Sequence, residues 1–481
     1  DGSGAPGVAG GFAVSRYASA KGGEENYLYM VPDNYFIGHS AGDSLQNSTY
    51  TGKYNTFFGY QSGLADTSGS ENVFLGYQSG YSNTDGLRNV MVGYQSGFSN
   101  TNADYNTFSG YRSGYNNTSG TNNSFYGYRA GFSNSIGRDN VMLGSNSGYL
   151  CDSSDYNVFI GNFAGYNHKG DNNNFNVYIG YYAGFGNALG NTGVNNVCIG
   201  NYSGRYNSTG QENVFVGLQA GMRNTTGQGN VSLGNQAGRE NQTGYNNIYI
   251  GYRAGYYSEG VSNVYLGNEA GLGVSGSDGQ HNVFLGYHAG YSNNTGDRNI
   301  FIGYAAGSGS STGSNNVCIG NGSGMNNTVG NYNTYLGWNT GLSITSGTGN
   351  VFLGAGAGAG FNTSNKLYID NSGTSNPLIY GDFFNNFLRF NGYVNIYPTS
   401  GDLILQAKSS EALWYNGTYY SWGYGGQYNY FADPVGIGYI NPSYKLQLPN
   451  NSGIIYGQAR AYAWTTYSDS RVKKDQKEIT Y

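Results

Sequence analysis

Asparagine returns at a fixed interval through most of the chain and each time opens the same phrase: Asn55-Thr-Phe-Phe-Gly, Asn72-Val-Phe-Leu-Gly, Asn89-Val-Met-Val-Gly, Asn106-Thr-Phe-Ser-Gly. The anchor continues through Asn123, Asn140, Asn157, Asn176, Asn196, Asn213, Asn230, Asn247, Asn263, Asn282, Asn299, Asn316, Asn333 and Asn350, with Asn34 as an outlying first copy. Most steps are 17 residues, as from Asn55 to Asn72; longer ones, such as 19 from Asn157 to Asn176, place their extra residues in Gly/Asn/Asp-rich text. A register of this kind means that one short unit is stacked many times, with insertions confined to turns.

From Asn55 onward the residue after each anchor is Val, Thr, Ile or Ser, the third after it is usually aliphatic, and an aromatic or Met side chain usually sits between them. An invariant Gly follows. This reads as a short strand whose alternate residues face opposite sides, both of them apolar. Seven residues after the anchor stands a small side chain (Ser62, Ser79, Ala130, Ala289), followed each time by Gly, which fits a cramped interior and a tight turn. The rest of the repeat is turn chemistry, so one copy makes one coil of a β-solenoid. Stacked coils ~4.8 Å apart give a rod on the order of 90 Å.

In this reading the aliphatic residues point inward and the aromatic row points outward. That row is Phe57, Phe74, Phe108, Phe159, Phe215, Phe284, Phe301 and Phe352. It is expected to form an exposed oligomer-packing stripe, because a long apolar stripe does not stay open to water. The simplest arrangement is a parallel homotrimer around a common axis. Another closed oligomer, a lateral filament, or a monomer using the stripe as a binding surface are the alternatives.

Composition limits the remaining classes. Gly (83 residues) and Tyr (50 residues) are abundant among 481, and the 16% aromatic content separates the chain from disordered Gly-rich sequences. A net charge of −5 gives no footprint for nucleic acid, and no apolar run approaches the ~20 residues of a membrane span. The chain begins at Asp1 rather than Met, which fits either a removed leader or a fragment. Cys151, Cys198 and Cys318 have no metal-like spacing. Cys198 and Cys318 stand two residues after Asn196 and Asn316 and read as substitutes for a buried aromatic.

Three passages carry resemblances. The phrase Asn72-Val-Phe-Leu-Gly-Tyr-Gln-Ser-Gly is similar to the coil repeats of trimeric adhesin heads, and more closely to repeat proteins of the tail-fibre-domain kind from bacterial surfaces and phages. As in those proteins, an exit phrase follows, Asn365-Lys-Leu-Tyr-Ile-Asp-Asn-Ser with Pro377-Leu-Ile-Tyr-Gly-Asp-Phe, and then Val435-Gly-Ile-Gly with Asn441-Pro-Ser-Tyr-Lys-Leu-Gln-Leu. Ser468-Asp-Ser-Arg-Val-Lys resembles the opening of the endosialidase-type intramolecular chaperone, with Ser468, Asp469, Arg471 and Lys473 on its Ser-Asp-x-Arg-x-Lys pattern. Gln476 departs from the apolar residue usual there, and the chain stops at Tyr481, long before such a domain would end. The resemblance implies a homotrimeric fibre, extracellular on a cell surface or virion, whose chaperone directs assembly.

The expected fold is therefore all-β: residues 1–33 an N-terminal cap or attachment segment, 34–360 the β-solenoid array, 361–457 a β-rich exit region with strands such as Leu403–Ala407, and 458–481 a chaperone junction. No catalytic set or metal cluster stands out, no cofactor is expected, and the chain reads as a non-enzyme. His281, His288 and Asp278 fall close together but His288 occupies a variable turn-side position. The aromatic patch Trp414, Tyr415, Tyr419, Tyr420, Trp422 and Tyr424 holds the candidate glycan contacts, since such rings stack on sugars; the same residues also make good trimer cores. The expected role is a fibre or adhesin that attaches to a cell or glycan. A self-assembling filament or sheath is the alternative, and a polysaccharide-degrading spike is a third.

Overall fold

The computed structural model describes residues 12–17, 24–46, 52–169, 174–187 and 190–392, with 435–436 and 446–447. The chain divides into two compact units, Asp1–Asn395 and Ile396–Tyr481. In the first, β1 (Phe12–Tyr17) pairs antiparallel with β2 (Glu24–Val31), and β2 pairs antiparallel with β3 (Asn34–Ile37). From β3 onward each coil adds one short parallel strand as far as β21 (Val351–Leu353), giving a β-solenoid of about 19 coils. A single helical turn, α1 (Asp43–Gln46), interrupts the first coil.

Past β21 the direction of pairing changes. β22 (Lys366–Ile369) adds in parallel, and β23 (Ile379–Asp382) and β24 (Phe387–Phe390) fold back antiparallel. Antiparallel strands thus cover both ends of the stack, where bare strand edges would otherwise recruit other chains. The compact unit runs on through these strands to Asn395. In the second unit β25 (Val435–Gly436) pairs in parallel with β26 (Leu446–Gln447), and the expected strand Leu403–Ala407 lies outside the described residues. No described helix is long and apolar enough to cross a membrane.

Each coil holds itself to the next by backbone bonds on all its sides. In the coil opened by Asn72, Gly76 N–H donates back to Phe58 O at 2.8 Å while Gly80 N–H donates forward to Ser96 O at 2.9 Å. The Gly at each of these corners is required. Gly80 has φ +58, and a Cβ there would lie 2.6 Å from the Phe74 ring; Gly76 has φ +138, and a Cβ would lie 2.4 Å from Gly93 O.

The expectation about which side faces the core is reversed. In Asn55–Phe58 the anchor and Phe57 are buried while Thr56 and Phe58 are exposed, and the same alternation runs along the array. Phe57, Phe74, Phe108, Phe159, Phe215, Phe284, Phe301 and Phe352, expected outside as a packing stripe, are the core of the rod. The aliphatic residues on either side of them face outward. Parity explains the error: the anchor Asn must be inside to make its bonds, and with a period of two the second residue after it follows it inward. A lumen this narrow is filled by one ring per coil, stacked on its neighbours, as Phe57 is on Phe74 with centroids 4.7 Å apart.

Cys198 and Cys318 sit in that ring column, fully buried, as the repeat position requires. The small residue seven after the anchor is also interior, and its hydroxyl, where it has one, bonds to the following coil: Ser79 Oγ donates to Met91 O at 2.7 Å. Single-ring packing leaves weak points. At Ser232 a serine takes the ring position, and the hydrophobic core divides there into one block ending at Phe215 and Ala220 and another beginning at Ala237 and Tyr249.

Candidate functional surface

Two columns of buried amides line the interior. The backbone N–H of each anchor after the first donates to Oδ1 of the previous one, as Asn89 does to Asn72 at 2.8 Å, and in the 17-residue coils its Nδ2 donates to a carbonyl 14 residues on, as to Ala103 O at 2.7 Å. The second column stands 11 residues after the anchor. There Asn100 Nδ2 donates to Asn83 Oδ1 at 2.8 Å, and Asn83 Nδ2 donates to Asp66 Oδ2 at 3.0 Å. From Asn83 to Asn134 each amide of this column donates to the preceding member, and Asp66, the first member, accepts from Asn83 and from Gly69 N–H, a need that a carboxylate meets. Burial nevertheless pushes the Asp66 carboxyl up to about 7, against the lowering effect of its bonds from Asn83 and Gly69.

Further along the same column stand Cys151 and His168, both buried. Burial pushes the Cys151 thiol up to about 12, which keeps it protonated and unreactive. His168 lies edge-on to Phe159 and Tyr178, with neither ring nitrogen hydrogen-bonded among the described residues, and burial lowers it to about 4. Among the described residues the interior of the array is filled by packed rings and amide columns.

The outside of the array is ordered in columns too. The first and third residues after each anchor form an aliphatic face: Leu75, Leu143, Leu285 and Leu336 are each about as exposed as the others, at 41%, 47%, 43% and 47%. Beside it the fifth residue supplies a tyrosine column, Tyr60, Tyr77, Tyr94, Tyr111 and Tyr128, in which successive rings stack at 5.0–5.2 Å with planes within 10°. Because the ring faces cover one another, only edges and hydroxyls meet solvent. This arrangement does not present open faces for sugar stacking, except at the ends of the column. A second, half-buried column runs Tyr81, Phe98, Tyr115, Phe132, Tyr149, Tyr166 and Phe185.

Cations on this surface lean on the rings. The Arg205 guanidinium lies 5.0, 5.2 and 4.9 Å from the Tyr182, Tyr202 and Tyr206 rings, and Arg129 lies over Tyr128 at 5.1 Å. A shallow groove of about 330 Å³ lined by Asn187, Tyr206, Arg223, Thr225 and Gln242 adjoins this region. Its Arg223 is already paired with Glu240 at 3.2 Å, so it offers no free charge to a ligand.

The sequence candidates fall into three groups. The aromatic stripe is interior, as described above. The glycan patch Trp414, Tyr415, Tyr419, Tyr420, Trp422 and Tyr424 and the junction Ser468, Asp469, Arg471 and Lys473 lie outside the described residues. His288 Nε2 lies 2.7 Å from Glu269 Oε2 on the surface, and among the described residues no group of three or more His, Cys, Asp or Glu is placed to hold a metal ion. The aliphatic face and the tyrosine column are what sequence reading missed. Their signal was present as the recurrence of apolar residues one and three after the anchor and of tyrosine five after it from Tyr60 to Tyr128. No protein-family model matches the chain, and no curated protein or solved structure is significantly similar to it.

Proposed function

We propose that this chain is a structural fibre, projecting from a cell or virion surface and mediating attachment, and that it acts as an assembly of several copies, a homotrimer in the simplest case. The observation that carries this reading is the unbroken parallel array with an interior given over wholly to packing and amide columns. Such a body supplies stiffness and reach, since length grows with coil number and each coil is bonded to both neighbours. The resemblance of the exit phrase and of Ser468–Lys473 to tail-fibre-domain proteins and their chaperones supports the same role. Attachment is assigned to the part of the chain beyond the array, where Trp414 and Trp422 are the candidate sugar contacts.

The exposed aliphatic face favours one further reading, a filament or sheath in which rods associate side by side without a specific receptor. Electron microscopy of the purified full chain separates the two: discrete rods support the fibre, and indefinite lateral arrays support the sheath. Glycan-array binding, abolished in Trp414→Ala or Trp422→Ala, is the expected result for an attachment fibre. Absence of binding by the intact protein on arrays and on candidate host cells would remove the attachment role.

A further inference from the structure

We propose that the outward face of the parallel strands, formed by the first, third and fifth residues after each anchor, is the surface on which a second copy of this chain packs along the length of the rod. The inference rests on the reading of the protein as a self-associating fibre and names the surface that does the associating.

Composition of the face is the first observation. Through all the coils from Asn34 to Asn350, no Asp, Glu, Lys or Arg occupies any of the three positions, although charged residues make up 10% of the chain. Charges stand immediately on either side instead. On one flank the residue preceding each anchor includes Glu71 and Arg88, paired at 2.8 Å, and on the other the sixth residue after it includes Arg112, Arg129 and Glu269. An uncharged centre with a charged margin is the pattern of a protein interface core within its rim.

Size is the second. Coils ~4.8 Å apart make a strip about 90 Å long, and five residues of strand and turn make it about 13 Å wide, so each copy offers about 1,200 Å² and a pair buries about 2,400 Å². That lies in the range of stable homo-oligomer interfaces and far above the few hundred Å² of apolar patch that a monomer ordinarily leaves open.

Periodicity is the third, and it selects the occupant. Side chains on the face repeat with the coil spacing, and they stay in step because insertions fall in turns: the steps of 19 and 20 residues leave Val158, Val177 and Val197 directly paired. A partner whose side chains repeated at another spacing would drift out of step within a few coils. A second copy of the chain has the same spacing throughout, so knobs and hollows match from end to end. Its aliphatic residues meet aliphatic residues, with the edges of the Tyr77–Tyr94–Tyr111 column beside them.

The test uses the full chain in analytical ultracentrifugation. The wild type is expected to sediment as an oligomer, and the combined variant Leu143→Glu, Leu285→Glu, Leu336→Glu as a single chain with an unchanged β circular-dichroism spectrum. Thr226→Glu, on an exposed turn, is expected to keep the oligomer. Because three charges together can disturb folding, a second readout leaves the fold alone. In the oligomer Leu285→Cys is expected to react with a charged thiol reagent at least tenfold more slowly than Thr226→Cys, the three native cysteines being buried. An oligomer that survives the three glutamates, or equal labelling of the two cysteines, overturns the assignment of this face and leaves self-association standing. A wild type that is a single chain at every concentration overturns self-association itself and leaves the face to another occupant.

Discussion

The side-chain oxygen of Asn230 accepts two bonds from Asn247, from its backbone N–H and from its Nδ2, both at 3.1 Å, while its own Nδ2 donates to Gly244 O at 2.8 Å. One amide therefore joins its own coil to the next without any backbone ladder. Replacing it strands partners that water cannot reach.

Asn230→Ala should therefore destabilise the array by about 3 kcal/mol or more, since each buried group left without a partner costs ~1–3 kcal/mol. Asn230→Asp keeps the acceptor but loses the donor and buries a charge, so it should do no better. Chemical denaturation followed by circular dichroism checks both, with the exposed Thr226→Ala expected to change stability by less than about 0.5 kcal/mol.

The second amide column makes stability depend on pH in two opposing ways. Asp66 binds its proton more tightly folded, at about 7, than unfolded, near 3.8, so folding takes up a proton and stability falls as pH rises from about 4 to 7. His168 is lowered to about 4 from 6.5, so it binds a proton more readily unfolded, and its contribution is lost as pH falls from 6.5 toward 4. Asp66→Asn should raise the melting temperature at pH 8 and leave it nearly unchanged at pH 4. His168→Asn, which supplies the residue found elsewhere in the column, should reduce the loss of stability between pH 6.5 and 4. Melting curves across this range, with equal shifts at all pH values as the contrary outcome, decide it.

Left-handed backbone gives two glycine substitutions of opposite sign. Glu212 is exposed with φ +59, a conformation costing a side-chain-bearing residue ~1 kcal/mol, and the next coil has Gly229 at the same place with φ +62. Glu212→Gly should be neutral or stabilising by up to about 1 kcal/mol. Gly290 also has positive φ, but a Cβ on it would lie 2.4 Å from the Phe284 ring, so Gly290→Ala should destabilise strongly. Thermal unfolding of the two variants side by side is the check.

The period of the repeat, the strand at its head and the turn at its tail were legible in the sequence because each depends on local chemistry: Asn and Gly at fixed offsets, β-branched residues between them. The sidedness of the strand was legible as well, but only through parity with Asn55 or Asn72, and hydrophobicity alone misassigns it. Phe57 and Phe58 are adjacent, both aromatic, and one is in the core while the other is half exposed. The role of Asp66 was not legible, because nothing in the repeat consensus shows that a column of donors begins there and requires an acceptor. The tyrosine column was written plainly at Tyr60, Tyr77 and Tyr94, and its meaning came only with the stacking geometry that covers the ring faces.

Ser232 marks where this single-file core is weakest. Phe284 lies between Tyr265 and Phe301 at 4.6 and 4.9 Å, and Phe284→Ala should cost about 3–5 kcal/mol within its block. At Ser232 the equivalent ring is missing, so coupling between the coils of Phe215 and Tyr249 lacks the buried ring contact and rests on backbone and amide bonds with surface pairs such as Arg223–Glu240 and Arg239 over Tyr256. The two blocks should open separately. Hydrogen exchange under mild denaturant is expected to show distinct protection on the two sides of the Ser232 coil, and that coil exchanging first. Ser232→Phe, which supplies the residue that Phe215 and Phe284 provide in their own coils, should join the blocks into one cooperative transition. A single transition in the wild type, or two in the variant, would show that the missing ring does not set the boundary between the blocks.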